Sequence, residues 1–549
     1  MKRRNFLKVF PAAGVTPFVV NGFSMRPFAN RSMANLLSSC DAVRERVLVL
    51  IQLKGGNDGL NTVIPIPNFD RYMQLRGTIG IAENQCIPLD NTLPYDDQVG
   101  LHPAMTGVKA LYDKGWAAIV QGVGYDNMNQ SHFKGTDLWL SGGDTSSIYA
   151  SNISSGWMGR ALQAFFPDVE GMPTPDMPDP LGIQIGDPNT SLGFHTDTEH
   201  QNAINLSGQD PAGFYSLIQT IGGAPILNVP DTDHGAELEY IMGVEQSINQ
   251  YAQRITQVFN AGSNFITTYP NDYFAAQLKT VARMIRGGCK TKIYLCQVGG
   301  FDTHSAQVDS GDTSLGSHAQ LLQMLSDALK TFFDDLEGLG IADQVVACTF
   351  SEFGRCAKEN GSFGTDHGTL APMFLFGKNI RPRVHGTNVD LDDLTADNQL
   401  KNKQFDYRQV FATLLQDWLG ANSFVMEEAM FESYPKMFIV QKEYTVGPGC
   451  YYGGSPTIVD PFVKSPLTVS PNPASLSAEV TYQSEAEFDA LLTLHSLGGT
   501  LVSANNQAVH QGFNLFYFDV TALPTGTYFV RLQNKRNGKA DVAKLSVAR

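Results

Sequence analysis

Val47-Leu48-Val49-Leu50-Ile51-Gln52-Leu53, followed at once by Lys54-Gly55-Gly56-Asn57-Asp58-Gly59, decides the fold class. An almost unbroken run of Val, Leu and Ile suits a strand covered on both faces, as in a parallel sheet flanked by helices. The polar, glycine-rich turn then falls at the strand's carboxyl end. In open sheets of this kind, ligands bind beyond those ends.

The same alternation continues outward. Pro103 to Tyr112 reads as a helix and Trp116 to Val120 as a strand. Tyr273 to Arg286 is helical, Lys292 to Val298 a strand, and Ser317 a cap for a helix with Leu321, Leu322, Leu325, Leu329, Phe332, Phe333 and Leu336 at near-helical spacing. Gly338 and Gly340 end that helix; Val345 to Phe350 and Met373 to Phe376 are strands, and Tyr407 to Leu419 is a late helix. The expected core is an α/β domain over residues 44–445, a mostly parallel sheet with helices on both faces. Residues 144–270 are less regular and read as an insertion or cap.

Polar clusters follow the strands in turn. They are Lys54 to Gly59, Asn129-Gln130-Ser131-His132, Gly299-Gly300-Phe301-Asp302-Thr303-His304, Ser351-Glu352-Phe353-Gly354-Arg355, and Gly364-Thr365-Asp366-His367-Gly368. All are expected at one edge of the sheet. Carboxylates with imidazoles suit a divalent ion: zinc, with manganese, magnesium or calcium as alternatives. The candidate ligands are Asp58, Asp302, His304, Glu352, Asp366 and His367. Each has a plainer reading, Glu352 as a salt-bridge partner of Arg355 and Asp366 as an Asx-turn before His367. His102, His318 and His385 fall outside the clusters and read as structural.

These clusters together resemble an exported bacterial family of uncharacterised function related to the alkaline phosphatase and sulfatase superfamily. The resemblance spans most of residues 44–440. It implies an alkaline-phosphatase-like α/β core that binds divalent metal, with Asp58, Asp302, His304 and His367 at ligand positions. Ser131, opening the segment Ser131 to Gly142, matches the nucleophile position, although a serine there is also a natural helix N-cap. Lys134 and Arg355 would stabilise charge on phosphoryl or sulfuryl oxygens. Two departures stand out. Glu352-Phe353-Gly354 replaces the Asp-His-Gly usual after that strand, so one metal site is altered or lost. No Cys-x-Pro-Ser-Arg occurs, which argues against a formylglycine sulfatase. The expected function is an exported metal-dependent hydrolase of phosphate or sulfate esters. The alternative is a non-catalytic cell-surface or binding protein on a degenerate form of the same fold.

The two ends concern transport. Met1-Lys2-Arg3-Arg4-Asn5-Phe6-Leu7-Lys8, ahead of a short apolar stretch, resembles a twin-arginine signal, with residues 1–43 as signal and leader. A Gly- and Pro-rich linker is expected over 446–463. From 464 to 549, short alternating runs punctuated by turns predict an all-β sandwich. Ser470-Pro471-Asn472-Pro473-Ala474 and Leu523-Pro524-Thr525-Gly526-Thr527-Tyr528-Phe529-Val530 resemble the C-terminal sorting domain of type IX secretion cargo. That implies passage through the periplasm to the cell surface or beyond, with the export machineries as partners.

Composition narrows the rest. The net charge of −15 disfavours nucleic acid as a partner. An anionic small-molecule or polymer ester would therefore need local cations. No run of about twenty apolar residues predicts a transmembrane segment. The seven cysteines contain no C-x-x-C pair; Cys296 and Cys348 lie in apolar runs and read as packed thiols.

Overall fold

A computed structural model describes residues 45–143, 154–169, 171–187, 191–196, 203–206, 250–430, most of 434–446 and most of 467–548, with short strands at Phe18–Val20 and Phe23–Met25. The twin-arginine motif, the linker from 447 onward and much of 144–270 lie outside the described residues. The chain divides into two compact units, Met1–Gly454 and Ser455–Arg549.

The first unit is built on nine strands: β1 (Val47–Lys54), β2 (Ala117–Gly124), β3 (Gly182–Ile185), β4 (Ala203–Leu206), β5 (Ile293–Gly299), β6 (Val345–Phe350), β7 (Ala371–Phe376), β8 (Val384–His385) and β9 (Phe405–Asp406). Their order is β8-β2-β7-β6-β1-β5-β3-β4, with β9 also pairing β2. Every pairing is parallel except those of β7, which runs against both β6 and β2.

The apolar run at Val47 is explained by what lies on either side of it. Val47, Val49, Ile51 and Leu53 face one core, which also holds residues of α1 (Thr106–Asp113), α4 (Tyr273–Arg286) and α5 (Ser317–Gly338). Leu48 and Leu50 face a second core, shared with α2 (His132–Ser141), α3 (Trp157–Phe165), α6 (Tyr407–Thr413) and α7 (Ser423–Met430). A strand apolar on both faces must be covered on both faces.

The structure corrects some expectations. Residues 144–270 are not only an insertion or cap, because β3 and β4 extend the main sheet itself. Ser317 is not the cap of α5. Gly316 holds that position, and the Ser317 hydroxyl donates to the Ala306 carbonyl at 2.8 Å. The late helix is α only to Thr413 and continues as a π-turn over Leu414–Trp418. Cys296 and Cys348 are fully buried, and burial pushes the Cys296 thiol up to about 12.

The second unit has two antiparallel sheets: β10 (Leu467–Ser470), β11 (Ser477–Ser484) and β14 (Gly512–Asp519) in one, and β13 (Leu501–Val509), β12 (Phe488–Ser496), β15 (Gly526–Asn534) and β16 (Ala540–Val547) in the other. They share one apolar core that includes Val480, Leu492, Phe518, Val530 and Leu545. Strand β13 is not evident from sequence because it is an exposed edge strand. Leu501 and Val502 face solvent, and polar residues fill its middle.

Beneath the first loop lies a buried ion pair. Asp58 caps the short helix Gly59–Thr62, and its Oδ2 accepts from Arg76 Nη1 at 2.5 Å and from Gln307 Nε2 at 2.6 Å. Arg76 also donates to the Ala357 and Cys356 carbonyls, at 3.0 and 2.9 Å. Burial pushes the Asp58 carboxyl up, but the Arg76 charge and hydrogen bond outweigh it and hold the group below its ordinary value. Such a pair stabilises the fold above the unfolded-state value of about 4. Its contribution is lost as pH falls through the lower folded value. Removing one partner strands a buried charge. Arg76→Met is therefore expected to cost about 3–5 kcal/mol, read as a lower urea midpoint at pH 7. The gap from wild type should narrow as the solution is acidified.

Candidate metal centre

The loops after β1, β5 and β6 meet because those three strands are neighbours and parallel. Residues 366–370 join them for the opposite reason. They precede β7, the antiparallel strand, so its amino end lies at the carboxyl edge of the others. Strand β2 runs with the majority and delivers the loop leading into α2 to that edge. Gly55 lets the loop after β1 pass close to the loop after β5. Its φ is +122°, and a Cβ there would lie 2.2 Å from the Asp302 amide nitrogen.

Asp302 is the hub of this edge. His304 Nε2 lies 3.3 Å from its Oδ1, His367 Nε2 3.4 Å from the same oxygen, and His132 Nε2 3.4 Å from Oδ2. Ligand atoms of His132, Asp302 and His367 all lie within 4.8 Å of one another.

Each imidazole is pinned by its other nitrogen. His367 Nδ1 donates to the Gln130 carbonyl at 2.8 Å, His132 Nδ1 to Glu352 Oε1 at 2.9 Å, and His304 Nδ1 to Asp366 Oδ1 at 3.2 Å. Carbonyl and carboxylate oxygens only accept, so in the neutral rings Nδ1 carries the proton and Nε2 keeps its lone pair. This is how a metal-binding histidine is usually oriented.

The sequence candidates therefore separate. Asp302, His304 and His367 come together. Glu352 and Asp366 lie one step back, as acceptors for His132 and His304. Glu352 makes no salt bridge with Arg355; its Oε1 also takes the Gly55 N–H at 2.8 Å. Asp58 faces Arg76 and Gln307. Arg355 is buried, and its donors go to Gly56 (2.8 Å), Thr365 (2.9 Å), Phe301 (3.1 Å), Gly55 and Asp302 Oδ1 (2.6 Å). Ser131 is exposed and sits at the N-cap of α2, its Oγ accepting from the Lys134 N–H at 3.5 Å. Lys134 lies in the first turn of that helix.

His132 is the residue that the candidate set lacks. The sequence places it in the right loop, one residue after Ser131. Its role depends on the buried Glu352 reaching across from another strand, which no local pattern reveals. Phe353, at the departure noted above, lays its ring 4.8 Å from that of His132 and 4.6 Å from that of His367.

Charge follows the geometry. The hydrogen bond to Glu352 raises the His132 pKa, helped by the Glu352 and Asp302 charges and opposed by burial and Arg355. Burial pushes Asp302 up, but Arg355 and the histidines hold it below its ordinary value. Asn360, followed by His304, holds Asp366 low, and burial lowers His367.

The chain belongs to the DUF1501 family, described as a protein of unknown function, whose profile matches residues 44–419. Residues 468–547 match the secretion system C-terminal sorting domain. That domain implies export to the cell surface or the extracellular space. No curated protein matches the chain.

Several solved structures are similar. One is a protein in the alkaline phosphatase superfamily from Vibrio parahaemolyticus, 9% identical over 92% of this chain and 90% of that one, with a TM-score of 0.30. Another is a Bacteroides thetaiotaomicron protein from a study of glycosaminoglycan metabolism, 8% identical over 91% and 90%, with a TM-score of 0.31. PorU from Porphyromonas gingivalis is 16% identical over 15% of this chain, with a TM-score of 0.14, and the chain spans only 9% of its length. Among the described residues no helix is long and apolar enough to cross a membrane.

The pairing of His132 with Glu352 has a direct readout. In metal-stripped protein, Glu352→Gln removes the charge that favours the imidazolium, so the His132 pKa is expected to fall. Titration of its ring proton by NMR measures this, and an unchanged value would show that Glu352 does not set the ring's charge.

Proposed function

We propose that this chain is an exported metalloprotein whose ion is held by His132, Asp302, His304 and His367, and that it hydrolyses phosphate or sulfate esters. On this reading a twin-arginine signal containing Arg3 and Arg4 starts its export. One observation carries the metal reading: three imidazoles, each fixed through Nδ1, turn Nε2 toward a single carboxylate.

The residues present fit an ion. His132 Nε2 is buried and makes no hydrogen bond, with Asp302 Oδ2 3.4 Å away, an arrangement that suits a shared ion between them. Among the described residues, the group whose ligand atoms lie within 4.8 Å of one another is His132, Asp302 and His367, and His304 joins it through Asp302 Oδ1 at 3.3 Å. A donor set of imidazole nitrogens with one carboxylate favours zinc over manganese. Magnesium and calcium prefer sites built of oxygen, so they suit this donor set poorly.

A bound ion would supply Lewis-acid charge to the oxygens of an ester. The chain's own residues set the stage for it. Glu352 and Asp366 hold two rings in place, and Arg355 fixes Asp302. Ser131 presents an exposed hydroxyl at a helix amino terminus, beside His132, and is the candidate nucleophile. Lys134 adds positive charge to the same first turn, which suits an anionic substrate. Arg355, with its donors engaged, acts by positioning.

A second reading, a non-catalytic binding protein, is favoured by the Phe353 ring packed against two of the histidines and by the engagement of Asp58 with Arg76. Two measurements separate the readings. Elemental analysis of purified protein should find one zinc or manganese per chain, and Glu352→Gln should weaken metal affinity about 10–100-fold. Turnover of aryl phosphate, phosphodiester and sulfate esters should fall about 1000-fold or more in Ser131→Ala with metal content unchanged. Metal without turnover leaves the binding protein; neither metal nor turnover sinks both the metal centre and the hydrolase.

A further inference from the structure

A second constellation lies at the opposite edge of the same sheet. Trp116 immediately precedes β2, and Lys378 follows the antiparallel β7, so both mark the amino edge of the parallel strands. The Gly377 N–H donates to the Trp116 carbonyl at 2.9 Å and joins the two segments. Lys114, Trp116, Lys378, Arg381, Pro382 and Gln441 line an open cavity of about 590 Å³ there.

The cations in this cavity are not equivalent. The Lys114 ammonium sits 3.8 Å from the Trp116 ring centroid and pairs with Glu337 at 2.6 Å and Asp334 at 3.6 Å. Lys378 pairs with Asp343 at 2.8 Å. Asp334 is shared with Lys330. These contacts fix the two lysines without filling their three donors each. Arg381 differs: its backbone N–H bonds the Ile439 carbonyl, but its exposed guanidinium makes no hydrogen bond or ion pair among the described residues. Arg383, also exposed, stands two residues further along the same extended segment. Both charges reach the buried His385, whose pKa is pushed down to about 4 by burial first and then by Arg383 and Arg381.

Glu337, Asp334 and Asp343 meet the two lysines, so the unmatched positive charge lining this cavity is that of Arg381, in a chain of net charge −15. A random anion would be repelled by the overall field, so only a local arrangement of donors can hold one. An unengaged guanidinium offers a planar fork suited to two oxygens at once, and the flanking ammonium groups add point charge.

We propose that this cavity binds a tetrahedral oxyanion, sulfate or phosphate, either free or as an ester group on an extracellular glycan, with Arg381 as the principal donor and Lys114 and Lys378 beside it. This site is separate from the metal centre and does not depend on it.

The test is calorimetric titration of the full chain in about 150 mM NaCl, a salt level that screens diffuse attraction. The probes are inorganic sulfate, inorganic phosphate and a sulfated hexasaccharide. Arg381→Ala removes no side-chain hydrogen bond or ion pair among the described residues, so its fold should be intact, with an unchanged thermal midpoint as the check. Binding is expected to weaken about 10- to 100-fold in it and to weaken less in Arg381→Lys, and the Arg381-dependent part of the binding is expected to persist in His367→Ala. The last variant keeps this proposal distinct from the metal centre, where an anion could also bind. Tighter binding of the hexasaccharide than of sulfate, lost in the same variant, assigns the ester group of a glycan. Sulfate binding without hexasaccharide binding assigns the free anion. Equal affinity in wild type and Arg381→Ala, or no saturable binding of any probe, overturns the proposal.

Discussion

A guanidinium that is 1% exposed gives up its hydration and must recover it from the protein, or the fold loses several kcal/mol. Arg355 recovers it from four backbone carbonyls and one carboxylate. The carbonyls belong to Gly55, Gly56, Phe301 and Thr365, and the carboxylate is Asp302. These lie on the loop after β1, the loop after β5 and the segment before β7. One side chain therefore reaches all three loops at once, reinforcing backbone bonds such as Phe301 N–H to the Lys54 carbonyl and Thr365 N–H to the Thr303 carbonyl. Because its fork is planar and rigid, it fixes their relative positions as well as their proximity. The position of Asp302, around which the histidines gather, follows from that tie.

The antiparallel strand gives the arrangement its second constraint. Had β7 run parallel to its neighbours, the residues before it would lie at the far edge, and His367 could not meet Asp302. Instead the segment from 366 to 369 pairs back on 354–356. Gly368 donates to the Gly354 carbonyl, and Gly354 to the Thr369 carbonyl, both at 2.8 Å. A short two-stranded contact thus carries a histidine and Arg355 side by side. The two ends of the sheet also differ in kind. The carboxyl edge gathers imidazoles around a carboxylate, and the amino edge holds lysines paired with carboxylates beside the unpaired Arg381.

How much of this could be read from sequence depends on whether the cause was local. The strands at Val47, Lys292 and Val345 were legible because burial on both faces leaves an apolar run that nothing else explains. Strands β3 and β4 were not, being four residues each within a segment of mixed composition. The edge clusters were legible because glycine and polar residues follow each strand. Which clustered residue faces which was not. Asp58 and Asp302 look alike in sequence, yet the first meets Arg76, eighteen residues further along the chain, and the second meets three histidines. Ser131 drew attention over His132 because a serine opening a helix has two familiar roles. The histidine's role is set only by Glu352, two hundred and twenty positions away.

The charge balance of the edge bears on how many ions it could hold. Asp58, Asp302, Glu352 and Asp366 bring four negative charges, and Arg76 and Arg355 bring two positive ones, while the neutral histidines contribute none. Two negative charges remain, which a single divalent ion would balance. A second ion would need further carboxylates. Asp58 is already met by Arg76 and Gln307, and Glu352 by His132 and the Gly55 amide. Without an ion, part of the same charge must be met by a proton. The raised pKa of His132, whose largest cause is its bond to Glu352, is the sign of that demand. On the proposed reading, proton and metal would compete for one centre through the same carboxylates. Glu352 would help either occupant, by holding the imidazolium when the site is protonated and by directing the Nε2 lone pair inward when it is not.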